Sequence, residues 1–268
     1  METLRLGSRG DLVRQLEQLL VVEGYPLKQD ALFDQETEDA VRNYQTRMGL
    51  VPDGLAGSKT ISTLLARAKN AKFLTMAEIQ TGATLLGVEV EAILAINEVE
   101  SRGTGFLPDG RPVILYERHI MHRQLAARDI NPVAIAAVNP IVNARPGGYK
   151  GGSAEYMRLA AAKQINHEAA LESCSYGAYQ IMGFHWKRLG YASVQELVEK
   201  MSHSEDEQFL AFTRFIKTDS ALHKALKAKK WADFARLYNG PNYAINLYDI
   251  KLERAYARYQ SHNLKAAA

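Results

Sequence analysis

Residues 95–119 read AINEVESRGTGFLPDGRPVILYERH, an apolar segment with acidic residues followed by a turn and a short β-favouring run. The spacing of apolar residues predicts a helix from Val88 to about Ser101. The Asp109-Gly110 pair is a hairpin turn signal, and Val113 to Tyr116 favours a short strand. The segment therefore predicts a helix, a turn and a strand in succession.

Two glutamates of the predicted helix differ in their surroundings. At 100° per residue, Glu100 shares the apolar face with Ile93 and Ile96, whereas Glu98 belongs to the solvated face. A carboxyl group on an apolar face loses hydration, which raises its pKa and keeps a proton available near neutral pH. A general acid needs this state before it protonates a leaving oxygen. We therefore predict that Glu100 is a catalytic acid.

A second carboxylate, Glu117, follows the predicted strand, 17 residues after Glu100. By alternation it lies on the same side of the strand as Val113 and Leu115. A hairpin at this point folds Glu117 back over Glu100 with room for a sugar between them. Arg118 either holds the Glu117 carboxylate ionised or pairs with another surface acid.

Two later segments combine aromatic rings with amides. SYGAYQIMGFHW (175–186) holds Tyr176 and Gln180, and FARLYNGPNYA (234–244) ends a predicted helix at Tyr238 and Asn239. Sugars present apolar ring faces and many hydroxyls, so such residues suit a glycan groove. Taken alone, aromatic residues of this kind are more often part of a core.

The first seventy residues predict three short helices around one small core. The helical stripes are Leu12, Val13, Leu16, Leu19 and Leu20; then Ala40, Val41, Tyr44 and Met48; then Ile61, Leu64 and Leu65. Asp34 is a candidate N-cap of the second helix, and the third follows Ser58.

This part of the chain resembles the three-helix type of peptidoglycan-binding domain over residues 3–66. The resemblance depends on LRLGSRGDLVRQLEQLL and on FDQETEDAVRNYQTRMGLVPDGLAGSKTISTL. Most of the matching residues are core, cap and turn residues. One departure is Ala31, where a glycine is usual, and it puts one turn in doubt.

The remainder, over residues 75–262, is similar in motif order to the lysozyme-like superfamily and more closely to the N-acetylmuramidase domain of bacteriophage endolysins. That resemblance implies hydrolysis of the β-1,4 bond between N-acetylmuramic acid and N-acetylglucosamine. It assigns the catalytic acid to Glu100 and the second functional carboxylate to Glu117. The residues predicted to bind substrate are Ser101, His119, Tyr176, Gln180, Tyr238 and Asn239.

The predicted fold is mainly α: a small three-helix wall-binding domain, residues 1–68, followed by a lysozyme-like α domain with a short β-hairpin, residues 75–265. The linker is placed near 67–73. The predicted enzyme is a glycoside hydrolase, a lysozyme-type muramidase that lyses the bacterial cell wall.

Composition excludes several classes of protein. No apolar run reaches the roughly 18 residues of a membrane-spanning helix, and no cofactor is predicted. Histidines lack zinc-ligand spacing, with His119 and His122 only three apart, so no metal is predicted. The single Cys174 excludes an internal disulfide.

Charge and the N-terminus predict partners and location. The net charge is +3, but residues 211–268 hold eleven Lys or Arg against four Asp or Glu. We expect peptidoglycan as the partner. The basic end and the amphipathic stretch 221–237 could in addition attract anionic outer-membrane or wall polymers. The alternative is that this stretch is an ordinary amphipathic helix that packs on the catalytic domain. Nucleic acid is not expected, and the chain is expected to be a monomer. The N-terminus lacks a signal-peptide core, which predicts residence in the host cytoplasm before lysis and then action at the wall or periplasm.

Three alternatives remain at this stage. A lytic transglycosylase would share the fold and Glu100 but form a 1,6-anhydro sugar. A Cys174-dependent amidase or endopeptidase would release amino groups. A non-enzymatic protein would bind the wall without cleaving it.

Overall fold

The computed structural model describes residues 3–66, 73–101 and 104–266. Over these residues the chain is mainly helical with one small antiparallel sheet, which confirms the predicted fold class. The chain divides into two compact units, residues 1–103 with 224–268, and residues 104–223. Most of the predicted linker, 67–73, lies outside the described residues.

The elements follow one another along the chain with short connections. The helices are α1 (Asp11–Val22), α2 (Gln35–Met48), α3 (Ser58–Ala66), α4 (Met76–Leu86), α5 (Val90–Glu100), α6 (Arg118–Ala126), α7 (Pro132–Val138), α8 (Ala154–Ile165), α9 (His167–Glu172), α10 (Val194–His203), α11 (Glu205–Thr218), α12 (Ser220–Lys227), α13 (Trp231–Asn239) and α14 (Tyr248–Ala266). The strands are β1 (Ile114–Tyr116), β2 (Cys174–Tyr176) and β3 (Ile181–Met182), and 3₁₀-helices span Gly183–His185 and Pro241–Asn246.

Helices α1 to α3 form the predicted three-helix core. The Asp34 carboxylate accepts a hydrogen bond from the Thr37 backbone N–H at 2.9 Å and so caps α2, as predicted. The shared buried side chains are Val13, Leu16, Leu20, Phe33, Val41, Tyr44 and Leu64. The predicted burial is wrong for two residues of the apolar stripes, since Leu12 is 50% exposed and Leu65 is 64% exposed. Both lie at the edge of an apolar stripe, where periodicity alone does not decide burial.

The turn that contains Ala31 forms without a glycine. Ala31 has φ of 65°, in the left-handed region, where a Cβ atom crowds the following carbonyl. Its N–H donates to the buried Glu17 carboxylate at 3.0 Å, and its carbonyl accepts from Gly10 N at the same distance. These two bonds hold the backbone where the side chain disfavours it.

Helix α5 is a core helix, and it confirms the helix predicted over Val88 to Ser101. Residues 92–97 are all buried, as is Glu100 at the C-terminal end. It packs chiefly against α14, whose inner face buries Leu252, Ala255 and Tyr259. The packing fixes the rotation of α5 and therefore the direction of each of its side chains.

In the second unit the predicted turn forms, but the strand after it has a different partner. Leu107 N donates to the Arg111 carbonyl at 2.8 Å, and Phe106 bridges Pro112, so the chain reverses at Asp109-Gly110. However, β1 pairs antiparallel with β2, where Ile114 lies opposite Tyr176, and β2 pairs with β3. Val113 N also donates to the Gly105 carbonyl at 2.9 Å, so the predicted short hairpin forms, while β1 itself pairs with a strand some sixty residues downstream.

The amphipathic stretch 221–237 is two helices rather than one. Lys229, with φ of 53°, breaks it between α12 and α13. Its apolar residues Leu222, Leu226 and Phe234 are fully buried, which agrees with the packing interpretation. Among the described helices, none alone has the length and composition of a membrane span, although α4 and α5 together meet that test as a pair bent by 112°.

Candidate active site

Glu100 is the last residue of α5 and is buried on the apolar face, as predicted. Only 8% of the residue is exposed. Burial raises its pKa from the ordinary 4.5 to about 7, while a hydrogen bond from Asn239 and the positive charge of Lys251 lower it in part. The Glu100 carboxyl group is therefore half protonated near neutral pH.

Asn239 reaches Glu100 because α13 ends at that residue. Its Nδ2 donates to Glu100 Oε1 at 2.9 Å. Gly240, with φ of 81°, turns the chain out of the helix immediately afterwards. The Tyr238 ring stacks on Phe234 with centroids 6.0 Å apart and is half-buried. Of the predicted site residues in the first unit, the structure thus joins Asn239 directly to the acid.

Ser101 follows Glu100 and closes the helix. Its backbone N–H donates to the Asn97 carbonyl at 3.1 Å, and its side chain is half-buried. The last turn of α5 is therefore held in place next to the Glu100 carboxyl group.

Glu98 does not lie on a solvated face, which corrects the helical-wheel prediction. Its carboxylate pairs with the Arg258 guanidinium and accepts a hydrogen bond from the Tyr259 hydroxyl at 2.9 Å. Both partners come from α14, a helix more than 150 residues away in the sequence. The helical wheel places Glu98 opposite the apolar face correctly but carries no information about what covers that side.

In the second unit, Glu117 lies just after β1 and precedes α6. Its Oε2 accepts a hydrogen bond from the Tyr149 hydroxyl at 2.8 Å and lies 3.1 Å from His119 Nδ1. The structure thus joins two predicted site residues, Glu117 and His119. It adds Tyr149, which the sequence analysis missed because it lies 32 residues away in a segment without regular structure.

Arg118 contacts backbone carbonyls, which matches neither of the two alternatives left open for it, a contact with Glu117 or a pair with another surface acid. Its Nε donates to the Arg145 carbonyl, and its Nη2 donates to the Pro146 carbonyl, both at 2.9 Å. Arg118 therefore fixes the segment that leads to Tyr149.

Glu155 fixes the other end of this segment and was also missed. It is fully buried and accepts from Lys150 N at 2.6 Å, Gly151 N at 3.0 Å and Tyr116 N at 3.1 Å. Burial alone would raise its pKa, but these N–H groups and Arg158 lower it. Arg158 pairs with it at 2.6 Å. The charged Glu155 thus ties the Tyr149 segment to the end of β1, one residue before Glu117.

Tyr176 and Gln180 lie in the β2–β3 region of the same unit. Tyr176 is 2% exposed, and its hydroxyl donates to the Leu171 carbonyl at 2.9 Å, so its side chain belongs to the core. Gln180, with φ of 51°, accepts from the Ser175 hydroxyl at 2.8 Å and donates to the Gly177 carbonyl. Its side chain is half-buried and shapes the turn between the strands.

Cys174 has the wrong surroundings for a nucleophile. It is buried in β2, and burial raises the pKa of its thiol far above the ordinary value. A thiol in that state supplies almost no thiolate at neutral pH. Among the residues that the structure describes, no group of three or more His, Cys, Asp or Glu side chains is arranged to hold a metal ion.

Comparisons with known proteins match both parts of the chain. A model of the N-acetylmuramidase family matches residues 89–260, and a model of peptidoglycan binding domains matches residues 9–64. The crystal structure of an endolysin from Burkholderia AP3 phage is 54% identical, with a TM-score of 0.92 over 97% of this chain and 100% of that one.

A spore cortex-lytic enzyme of Bacillus subtilis is 35% identical over 85 residues, which is 31% of this chain. The aligned segment spans only 28% of that relative's length.

The fold and the matched models define a modular peptidoglycan hydrolase of the glycosidase class. The chain belongs to the N-acetylmuramidase family, whose model covers well over half of it. The predicted domain order, an N-terminal peptidoglycan-binding domain before a muramidase domain, is confirmed. Peptidoglycan as the partner is confirmed as well.

Proposed function

We propose that this chain hydrolyses the β-1,4 bond between N-acetylmuramic acid and N-acetylglucosamine, with Glu100 as the general acid. The single observation that carries the proposal is the buried Glu100 carboxyl group, whose pKa is raised to about 7. Such a group still holds a proton at neutral pH and releases it without a large free-energy cost.

The hydrogen bond from Asn239 supports a position for the Glu100 proton on one of the two carboxyl oxygens. Asn239 donates to Oε1, so Oε1 acts as the acceptor and Oε2 carries the proton. When Oε2–H protonates the leaving oxygen, the carboxylate that remains is stabilised by the Asn239 amide and by the positive charge of Lys251. Asn239 thus holds the acid before the step, and Asn239 and Lys251 together compensate its charge afterwards.

Glu117 is proposed as the second functional carboxylate. It either activates the attacking water or stabilises the oxocarbenium-like transition state. The Tyr149 hydroxyl and His119 both contact its Oε2, which leaves Oε1 for water or for the sugar. Ser101, His119, Gln180, Tyr238 and Asn239 are proposed to contact substrate. Tyr176, whose side chain is buried, is not carried into this set.

We assign residues 1–68 to the N-terminal module and residues 75–265 to the catalytic domain. The module is proposed to hold the catalytic domain on its insoluble substrate. Tethering raises the local concentration of the catalytic part at the wall without any new contact at the scissile bond. We further propose that the chain acts as a monomer, stays in the host cytoplasm until lysis, and is drawn to anionic wall polymers by its basic C-terminal end.

The test is mass spectrometry of purified peptidoglycan after digestion. Wild type should release fragments with reducing muramic acid ends, and Glu100→Gln should release none. Glu253→Gln is the matched control, because Glu253 is an exposed carboxylate of α14. Products with 1,6-anhydro ends would show a transglycosylase instead, and new free amino groups would show an amidase; either result would refute the proposal.

A second variant separates the roles of the two carboxylates. Glu117→Gln should abolish or strongly reduce the release of reducing ends while the protein remains folded. Full activity of Glu117→Gln would refute the role proposed for Glu117 and leave Glu100 as the only acidic group of the mechanism.

A further inference from the structure

The first unit contains a cavity of about 710 Å³ that Glu100 itself does not line. One wall comes from the N-terminal module, from residues between Thr3 and Thr60, and the other comes chiefly from α5 and α14. Pockets that bind small ligands have volumes of roughly 300–1,000 Å³. The cavity therefore has the size of a ligand site.

The lining of this cavity favours a negatively charged ligand. Its two acidic side chains already have partners: Glu98 pairs with Arg258, and Asp53 accepts from Leu55 N at 2.9 Å and from Gln45 Nε2 at 2.7 Å. The lining holds five cationic side chains against these two acidic ones. The cationic residues other than Arg258 are Arg5, Lys59, Lys251 and Arg254. An excess of three positive charges inside a concave surface attracts carboxylates or phosphates.

The wall formed by the N-terminal module is pre-organised. The buried Gln45 accepts from Gly54 N at 2.9 Å and donates to Asp53, to the Leu55 carbonyl at 3.0 Å and to the Thr60 hydroxyl at 3.0 Å. Every polar atom of the Gln45 side chain is thus used to hold the loop. A rigid wall loses little conformational entropy when a ligand binds.

The cavity reaches the turn of helix that carries Glu100. Asn97 and Ser101, which line it, lie three residues before and one residue after Glu100. Lys251 also lines it, and the same positive charge lowers the pKa of Glu100. A ligand in the cavity therefore lies close to a substrate held at Glu100.

We propose that this cavity binds the carboxylates of the stem peptide that a muramic acid residue carries next to the cleaved bond. The inference rests on the proposed function, since it places the sugar at Glu100. The N-acetylated sugars of a glycan strand are neutral, whereas their stem peptides carry carboxylates. A cationic cavity beside the acid matches the peptide and not the sugar chain. The N-terminal module then contributes to recognition of the substrate, beyond tethering.

The experiment compares soluble glycan strands that carry stem peptides with the same strands after the peptides have been removed and the lactyl carboxyl groups freed by this step have been converted to neutral amides. Binding is measured by calorimetry on the full chain with Glu100→Gln, so that no strand is cleaved. Lys59→Glu and Arg254→Glu, combined, place negative charge on both walls of the cavity. The matched controls are Lys28→Glu and Arg123→Glu, two exposed cations outside the lining.

The double variant should bind stem-bearing strands about tenfold more weakly, because charge reversal replaces attraction by repulsion at two places. Its Kd for stripped strands should not change, and the controls should match the parent on both. The difference should shrink as salt is raised, since these side chains are partly exposed.

Equal weakening on both kinds of strand, or no weakening on either, would overturn the inference. Weaker binding of phosphate-containing wall polymers, with unchanged binding of stem-bearing strands, would also overturn it in favour of another anion. A different result would refute the catalytic proposal: the wild-type protein would release no reducing ends from peptidoglycan, whatever the binding data show. Thermal unfolding of each variant checks that the cavity is still folded.

Discussion

Glu100→Gln should stabilise the protein, and by an amount that depends on pH. The pKa of Glu100 is about 7 in the folded chain against an ordinary 4.5, so the folded state binds this proton more tightly than the unfolded state. The stability that the proton provides is complete below pH 4.5 and is lost as pH rises through 7. A glutamine at this position keeps an oxygen that can accept the hydrogen bond from Asn239 but never ionises. The variant therefore does not lose this stability as pH rises.

The size of the effect follows from the shift. A difference of about 2.5 pKa units corresponds to about 3 kcal/mol in the free energy of unfolding at pH 8, about 2 kcal/mol at pH 6 and almost nothing at pH 4. At roughly 2–4 °C per kcal/mol, Glu100→Gln should unfold about 6–12 °C above wild type at pH 8.

The assay is thermal unfolding of wild type, Glu100→Gln and the surface control Glu253→Gln across pH 4 to 8. All other titrating groups are common to the three proteins, so the difference between the curves isolates Glu100. A difference that does not change with pH, or a variant less stable than wild type at pH 8, would refute the assignment of a buried, protonated carboxyl group.

Three further outcomes are expected. Activity should fall as pH rises through about 7, and Asn239→Ala, which removes a contact that lowers the pKa of Glu100, should move this fall to higher pH in a pH–rate profile; an unmoved profile would contradict it. Tyr149→Phe should lower kcat about tenfold without changing the circular dichroism spectrum, since a hydrogen bond to a charged group is worth about 1.5–3 kcal/mol; unchanged kcat would exclude Tyr149 from the Glu117 site. Ala31→Gly should stabilise the N-terminal module by about 0.5–1 kcal/mol in urea unfolding, because φ of 65° strains alanine; a loss of stability would show that the turn is unstrained.

Local sequence signals predicted the parts of the fold that depend on neighbours in the chain. The N-cap at Asp34, the helix that ends at Glu100 and the turn at Asp109-Gly110 each follow from a few adjacent residues, and each is confirmed. The burial of Glu100 also followed from a helical wheel, because its position relative to the apolar face is a local property.

Long-range contacts were out of reach for the same physical reason. Neither the partner of β1, some sixty residues downstream, nor the Arg258 that covers Glu98 leaves a periodic signal. Tyr149 was missed because it lies in an irregular segment, which Glu155 holds through backbone N–H groups that any sequence would supply. Residue type at one position does not disclose such a partner.

Glu98 and Glu100 lie two residues apart on one helix, and their partners make them chemically different. The Glu98 carboxylate contacts the Arg258 guanidinium and the Tyr259 hydroxyl, so a positive charge lies directly beside it. The Glu100 carboxyl group contacts a neutral amide and is influenced by the charge of Lys251 without contacting it. These two groups lower its pKa less than burial raises it. If an arginine stood at position 239, its charge would lower the pKa of Glu100 and remove the proton that the reaction needs. The neutrality of Asn239 is therefore as important to the proposed mechanism as its hydrogen bond. Asn239→Arg should accordingly shift the loss of activity to lower pH, opposite in direction to Asn239→Ala.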